Sequence, residues 1–201
     1  MKLDKIGEGA CREVFQEGNG VCIKRLKKTR KKQIFGTEIS LPMWFNFFFK
    51  IGLRDLNRFE FDNYKRLMME IPKELQEYFS TIYSTRLNNG YSESICELIT
   101  DERGLPSKTL RSFGKIEDAK FWDILDNIRN EILARSVPYF GVHHENILVR
   151  QLANSLVPIF IDYKSFGMAR MRFQPWLYIS SERKIKIKRL FDKLNVYRDT
   201  N

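Results

Sequence analysis

Tyr139-Phe-Gly-Val-His143-His144-Glu145-Asn146-Ile147-Leu148-Val149 and, shortly after it, Val157-Pro-Ile-Phe-Ile-Asp162 are the two stretches whose reading decides the fold. A polar turn ending at Asn146 opens a short apolar run. A second apolar run then delivers one carboxylate, Asp162, at its end. Runs of Ile, Leu, Val and Phe of this length, bounded by polar residues, are expected to form strands. An Asn and an Asp brought to the same end of such a pair offer hard oxygen ligands, the type magnesium takes when it also holds phosphate groups. The same outline serves many α/β proteins without phosphate chemistry, so the remainder of the chain must discriminate.

Size and composition narrow the class. At 201 residues and 43% hydrophobic content the chain can bury one core, or two small lobes, but not two large domains. Cys11, Cys22 and Cys96 are odd in number and lack the paired spacing of zinc sites or disulfide frameworks. They are expected to be buried, reduced thiols. The first residues, Met1-Lys2-Leu3-Asp4-Lys5, carry charge where a signal peptide needs an apolar core, and no later stretch reaches transmembrane length. A cytoplasmic location is therefore expected. The formal charge of +10 points to an anionic partner: nucleotide, phosphorylated sugar, phospholipid surface or nucleic acid. Residues 24 to 32 read KRLKKTRKK and 184 to 193 add a second basic segment. Beside the first lies the dense cluster Met43-Trp44-Phe45-Asn46-Phe47-Phe48-Phe49, which suits either core packing or peripheral contact with an anionic membrane. Nucleic acid ranks below membrane, because the aromatics are clustered rather than interleaved with basic residues.

Ahead of the deciding stretches, Gly7 and Gly9 precede Val14-Phe15, and Gly18-Asn19-Gly20 supplies a tight turn before Val21-Cys22-Ile23-Lys24. This reads as two or three antiparallel strands, with glycines that let backbone approach a polyphosphate and Lys24 on the next strand able to reach it. Residues 29 to 53 show no clear period. From Asp55 to Met69, Leu56, Phe59, Asn63/Tyr64 and Leu67/Met68 recur at helical spacing, with Asp55 as a cap. Glu60 lies inside that helix, either paired with Lys24 or one more exposed glutamate. After Ile71-Pro72 the pattern turns extended. Asn88-Asn89-Gly90 separates two strands, the second ending at Asp101-Glu102-Arg103-Gly104, the composition of a lobe boundary. Phe121, Ile124/Leu125, Ile128 and Ile132/Leu133 predict a long helix over 117–135, stopped by Pro138. A basic last helix is expected over 181–194.

Taken in order, these are a glycine loop, a strand lysine, a helix glutamate, a polar hinge, a long helix, a turn ending Asn-Ile-Leu-Val and a strand ending in Asp. The order resembles the protein-kinase-like superfamily, and over residues 7 to 167 it looks most like the small bacterial YrbL family, associated by name with the PhoP regulatory network. His144-Glu145-Asn146-Ile147-Leu148-Val149 and Glu60 with Tyr64 one turn later carry the resemblance best. It implies an α+β, two-lobed protein-kinase-like fold: a small antiparallel N-lobe sheet over 1–101 and a truncated, mostly helical C-lobe over 102–201. It makes Gly7 and Gly9 the phosphate loop, Lys24 the phosphate-gripping lysine, and Glu60 its partner. Glu97 and Asp101 fall in the hinge that holds adenine, and Asn146 and Asp162 become the magnesium ligands.

Departures accompany the resemblance. Gly141 stands where such kinases place the catalytic aspartate, and Arg12 replaces the third loop glycine. The residues after Asp162 are Tyr163-Lys164-Ser165-Phe166-Gly167, so Asp-Phe-Gly is not contiguous. The YrbL family looks to share the first two departures. The function implied is binding of Mg2+ and ATP, with phosphate passed to a small or membrane-associated acceptor, for instance a lipopolysaccharide-core-type sugar or a protein. His143 is the candidate catalytic group beside Lys24 and Asp162, because it stands three before Asn146, where kinases often carry a lysine on the transferred phosphate. Two alternatives remain open: a catalytically inactive, nucleotide-responsive pseudokinase, and a basic, aromatic membrane-docking protein.

Overall fold

A computed structural model of the chain describes residues 3–9, 11–18, 20–34, 37–42, 55–163 and 179–199, with backbone alone for 29–34 and 37–42. The fold is α+β, and the chain divides into two compact units. Among the described residues the first holds those up to 62 and 81–98, and the second holds 63–80, 99–163 and 179–199. Sequence pattern places everything up to 101 in one lobe. Residues 63–80 instead belong with the second unit, because the division falls inside a helix and not only at the polar boundary.

The first unit is built on a five-stranded antiparallel sheet: β1 (Asp4–Glu8), β2 (Arg12–Gly18), β3 (Val21–Leu26) and, from further along the chain, β6 (Ile82–Asn88) and β7 (Tyr91–Glu97). Their order is β1-β2-β3-β7-β6, so β3 is central, and its Ile23 is fully buried. The turns follow from the residues expected to make them. Gly18 and Gly20 flank the β2–β3 turn with φ of 96° and 72°, and Asn89-Gly90 turns β6 into β7 with φ of 49° and 74°, left-handed values that Gly and Asn adopt at least cost. A separate hairpin, β4 (Thr29–Ile34) and β5 (Thr37–Pro42), occupies part of the region that shows no period. Its first strand, TRKKQI, carries no apolar alternation, so nothing in the pattern marks it as a strand. The aromatic cluster at 43–49 lies outside the described residues.

Helix α1 (Leu56–Glu70) forms where its spacing predicts, and the Asp55 carboxylate accepts the Asn57 N–H at 2.8 Å, capping it. Its buried face is Leu56, Asn57, Glu60, Asn63 and Leu67. Three polar residues thus occupy positions where an amphipathic helix ordinarily carries aliphatic ones. The expected extended run after Pro72 begins instead with a 3₁₀ turn, Lys73–Tyr78. Proline suits the opening of a helical turn because its fixed φ is already helical, and the turn buries Leu75.

In the second unit, β9 (Ile147–Leu152) and β10 (Ser155–Phe160) form a hairpin, with the two-residue β8 (Lys108–Thr109) on the far side of β9. The short helix α2 (Leu110–Phe113) follows β8. Helix α3 (Ala119–Ala134) buries Phe121, Trp122, Leu125, Ile128 and Ile132 and packs on β10. Asp118 serves twice, capping α3 through the Lys120 N–H at 2.9 Å and accepting the Leu156 N–H of β10 at 2.9 Å. The basic helix α4 (Ser180–Asp192) and a closing 3₁₀ turn, Lys193–Tyr197, bury Ile187, Phe191 and Leu194. Among the described residues no helix is long and apolar enough to cross a membrane.

Candidate functional site

In the first unit, β3 pairing sets Lys24 opposite Val14 of β2 and Ser94 of β7. Its side chain is 12% exposed, and Nζ lies 3.4 Å from Glu60 Oε1. Glu60 itself is fully buried. Its other oxygen, Oε2, accepts from Arg12 Nη1, and the same guanidinium nitrogen reaches Asn57 Oδ1 at 3.2 Å. Asn57, one turn before Glu60, donates through Nδ2 to the Lys24 carbonyl at 3.3 Å and the Ser92 carbonyl at 2.9 Å. A carboxylate withdrawn from water forfeits hydration worth several kcal/mol and is tolerable only beside cations. Here one carboxylate is shared by two, and the arginine holds the closer grip.

The predicted phosphate loop is the hairpin that joins β1 to β2. Gly7 stands opposite Val14, where the register slips, and Gly9 donates its N–H to the Arg12 carbonyl at 2.8 Å. A Cβ at Gly7 would meet Val14 at 3.7 Å and one at Gly9 would lie 3.8 Å from the Arg12 oxygen, both ordinary contacts. The hairpin's own packing therefore does not demand glycine at either position. On the same sheet Cys22 faces Cys96 across β3 and β7, and Cys11, Cys22 and Cys96 are all free thiols. The Cys96 thiol is lowered to about 6 by the hydrogen bond from Cys22, with the Lys24 charge assisting, while Cys22 is pushed up by the same contact and by burial.

In the second unit, β9 begins at Ile147 and β10 ends at Phe160, and these two residues are register partners. The Ile161 N–H donates to the Asn146 carbonyl at 2.8 Å, extending the ladder by one step. Asn146 and Asp162 thus leave the hairpin at the same end. The Asn146 amide is further fixed, since Nδ2 donates to the Gly141 carbonyl at 2.9 Å and its backbone N–H to the His143 carbonyl at 2.7 Å. With the amide nitrogen so engaged, Oδ1 is the atom left to present to a cation. A Cβ at Gly141 would approach Nδ2 to 3.2 Å, so glycine there gives the amide room to fold back. Asp162 has φ of +65°, a left-handed conformation uncommon outside glycine and, when held by its surroundings, a mark of functional sites.

What holds it is the next residue. Tyr163 is fully buried, and its hydroxyl donates toward the Ser80 and Phe160 carbonyls, at 2.6 and 2.8 Å. Its own carbonyl accepts from Asn63 Nδ2 at 2.6 Å, and that amide also reaches the Tyr139 carbonyl at 3.1 Å. The Tyr64 ring lies 5.0 Å from the Tyr163 ring.

His143 is exposed, and its Nδ1 accepts the Glu145 N–H at 3.3 Å, so in the neutral ring the proton sits on Nε2. The ring centroids of His143 and His144 lie 3.8 Å apart. His144 is held below the usual histidine range by burial, then by the neighbouring His143 charge. Glu145, paired with Arg111 at 2.5 Å, is lowered by that hydrogen bond.

The two hinge carboxylates take local roles. Glu97 Oε2 accepts the Thr81 N–H at 3.0 Å, and Asp101 Oδ1 accepts those of Arg103 and Leu105, both at 2.9 Å. Both shape the backbone around them, so any contact with adenine would fall to main-chain groups. Lys24 and Glu60 are brought together in the first unit, as are Asn146 and Asp162 in the second. Among the described residues no cluster of three or more His, Cys, Asp or Glu forms a metal cage. A magnesium held by one amide, one carboxylate and a ligand's phosphates needs none.

No protein-family model matches the chain, and no curated protein does. Among solved structures it is similar to one described as "PpkA-294 apo form", at 16% identity, covering 90% of this chain and 62% of that one, with a TM-score of 0.48. The chain spans less than two thirds of that chain's length.

Sequence reasoning missed four residues of these constellations: Arg12, Asn57, Asn63 and Tyr163. Arg12 registered only as a departure from a glycine pattern. Asn57, Glu60 and Asn63 stand three apart on one helix face, and a polar residue repeated at that spacing among Leu56 and Leu67 was the available signal.

Proposed function

We propose that the chain is a kinase-like protein that binds ATP with magnesium and transfers phosphate to a small or membrane-associated acceptor. The observation that carries the reading is the hairpin end where Asn146, its amide nitrogen tied to Gly141, stands beside Asp162 in a left-handed conformation. Their oxygens, Oδ1 of one and the carboxylate of the other, are the hard donors magnesium takes. The buried Lys24–Glu60 pair and glycines not required by packing support a phosphate-binding role for the first unit. Bound metal would neutralise charge on the phosphates. Lys24 would bind phosphate oxygens, and the carboxylate of Glu60 would orient it.

With Gly141 in place of an aspartate, catalysis would rest on positioning and charge, which phosphoryl transfer tolerates because its loose transition state asks little of a base. His143 then serves as a hydrogen-bond donor through Nε2–H toward the transferred group. The resemblance to the YrbL family is part of this reading and rests on the same residues.

The test is calorimetric titration of ATP with and without magnesium, on the native chain and on Asp162→Asn, which tolerates the left-handed backbone but removes the charge. Affinity that needs the metal and falls at least tenfold in the variant is expected. Equal affinity in both proteins sinks the reading. Gly141 favours one alternative, a nucleotide-responsive protein without turnover. Phosphate release or transfer above the level of Asp162→Asn excludes that alternative.

A further inference from the structure

Resting on the nucleotide reading above, we infer that Arg12 is a positioning residue that keeps Lys24 available to phosphate by holding the Glu60 carboxylate. Glu60 is fully buried and its two oxygens are divided: Oε2 to the Arg12 guanidinium, Oε1 to Lys24 at 3.4 Å. The second distance is long for an ammonium–carboxylate contact, whose usual range is about 2.7–2.9 Å. The difference is one of geometry. A planar guanidinium, 8% exposed and also bonded to Asn57, is fixed, whereas the lysine is a point charge on a flexible stem.

Arg12 opens β2 directly after the glycine hairpin, and its carbonyl accepts the Gly9 N–H. The guanidinium therefore ties the base of that hairpin to helix α1 through Glu60 and Asn57. With the arginine in place, most of Glu60's charge is met, and Lys24 is steered without being captured. Without it, the full buried carboxylate falls on Lys24 and competes with the phosphates of the ligand.

The experiment measures ATP and adenosine affinity by titration on four proteins: native, Arg12→Met, Arg12→Lys and the double variant Arg12→Met/Glu60→Gln. Adenosine has no phosphate for Lys24 to hold and reports on the rest of the site. Arg12→Met is expected to weaken ATP about tenfold while leaving adenosine unchanged, and Arg12→Lys to weaken it about threefold. Removing the Glu60 charge as well is expected to restore most of the ATP affinity, a recovery that loss of Arg12's own charge cannot produce. The inference is overturned if ATP and adenosine fall together, if neither changes, or if the double variant binds ATP no better than Arg12→Met. Should Arg12→Met fail to fold, Arg12→Lys and the double variant carry the same comparison. A native chain that binds neither ligand sinks the nucleotide reading itself, whereas native binding with any of the overturning results removes only the role of Arg12.

Discussion

Glu60 in the first unit and Asn146 in the second are both oriented polar side chains, yet they are held by opposite means. Glu60 is kept in place by charge: a buried carboxylate between an arginine and a lysine. Asn146 is kept by neutral main-chain partners, the carbonyls and N–H groups of Gly141, His143 and Ile161, and the adjoining Tyr163 by the same kind of bond. The difference teaches where function and stability are separable. Removing one member of a buried ionic set leaves uncompensated charge, so any loss in the first unit is also a folding defect. In the second, Asp162 can lose its carboxylate while the backbone around it stays tied through Tyr163.

The sharpest way to break this contrast is Glu60→Gln, which leaves Arg12 and Lys24 buried without their carboxylate. A loss of about 3–5 kcal/mol is expected in chemical denaturation, and a loss under about 1 kcal/mol would remove the charge argument for the first unit. The second unit should instead show its weakness at alkaline pH. Burial pushes the Tyr139 phenol up to about 12 from an ordinary 10.0. Its folded pKa is raised, so its contribution is full below pH 10 and is lost as pH rises toward 12, because the unfolded chain releases the proton first. A rise of that size is worth about 2–3 kcal/mol. Denaturation midpoints of the native chain and of Tyr139→Phe should therefore converge or cross over that window, and parallel curves would refute the assignment.

Tyr163→Phe keeps the ring and deletes the hydroxyl that serves the Ser80 and Phe160 carbonyls. About 2 kcal/mol of destabilisation is expected, with metal-dependent nucleotide affinity reduced because Asp162 loses its anchor. The smallest effect has the opposite sign. Asp162→Gly relieves a left-handed aspartate and should stabilise the chain by about 1 kcal/mol while abolishing metal-dependent binding. A destabilised Asp162→Gly would mean that the carboxylate holds the fold as well as the proposed metal.

Much of this was legible from the chain alone, and what was legible was local. The α1 and α3 stripes, the Asn89-Gly90 and Gly18–Gly20 turns and the Lys24–Glu60 pairing follow from spacing, turn chemistry and opposite charge. The β4–β5 hairpin escaped because its lysines mask any alternation, and the 3₁₀ turn because Pro72 opens a helical turn as readily as it ends one. Arg12, Asn57, Asn63 and Tyr163 escaped for a different reason. Their partners lie 35 to 100 residues away for the contacts that matter, and no periodicity within one segment reports on a hydrogen bond to another.

The polar face of α1 also bears on inheritance and redesign. An aliphatic stripe can slide by a turn, or exchange Leu for Ile, and still bury the same area. Asn57, Glu60 and Asn63 cannot, since each is matched to particular atoms: the Lys24 and Ser92 carbonyls, Arg12, and the Tyr139 and Tyr163 carbonyls. The helix works as a key cut with three teeth. A descendant that alters a tooth is expected to alter its ward, so paired change between residues 12 and 60 is the signature to seek in diverged copies. A designer transplanting this helix would have to carry its partners along with it.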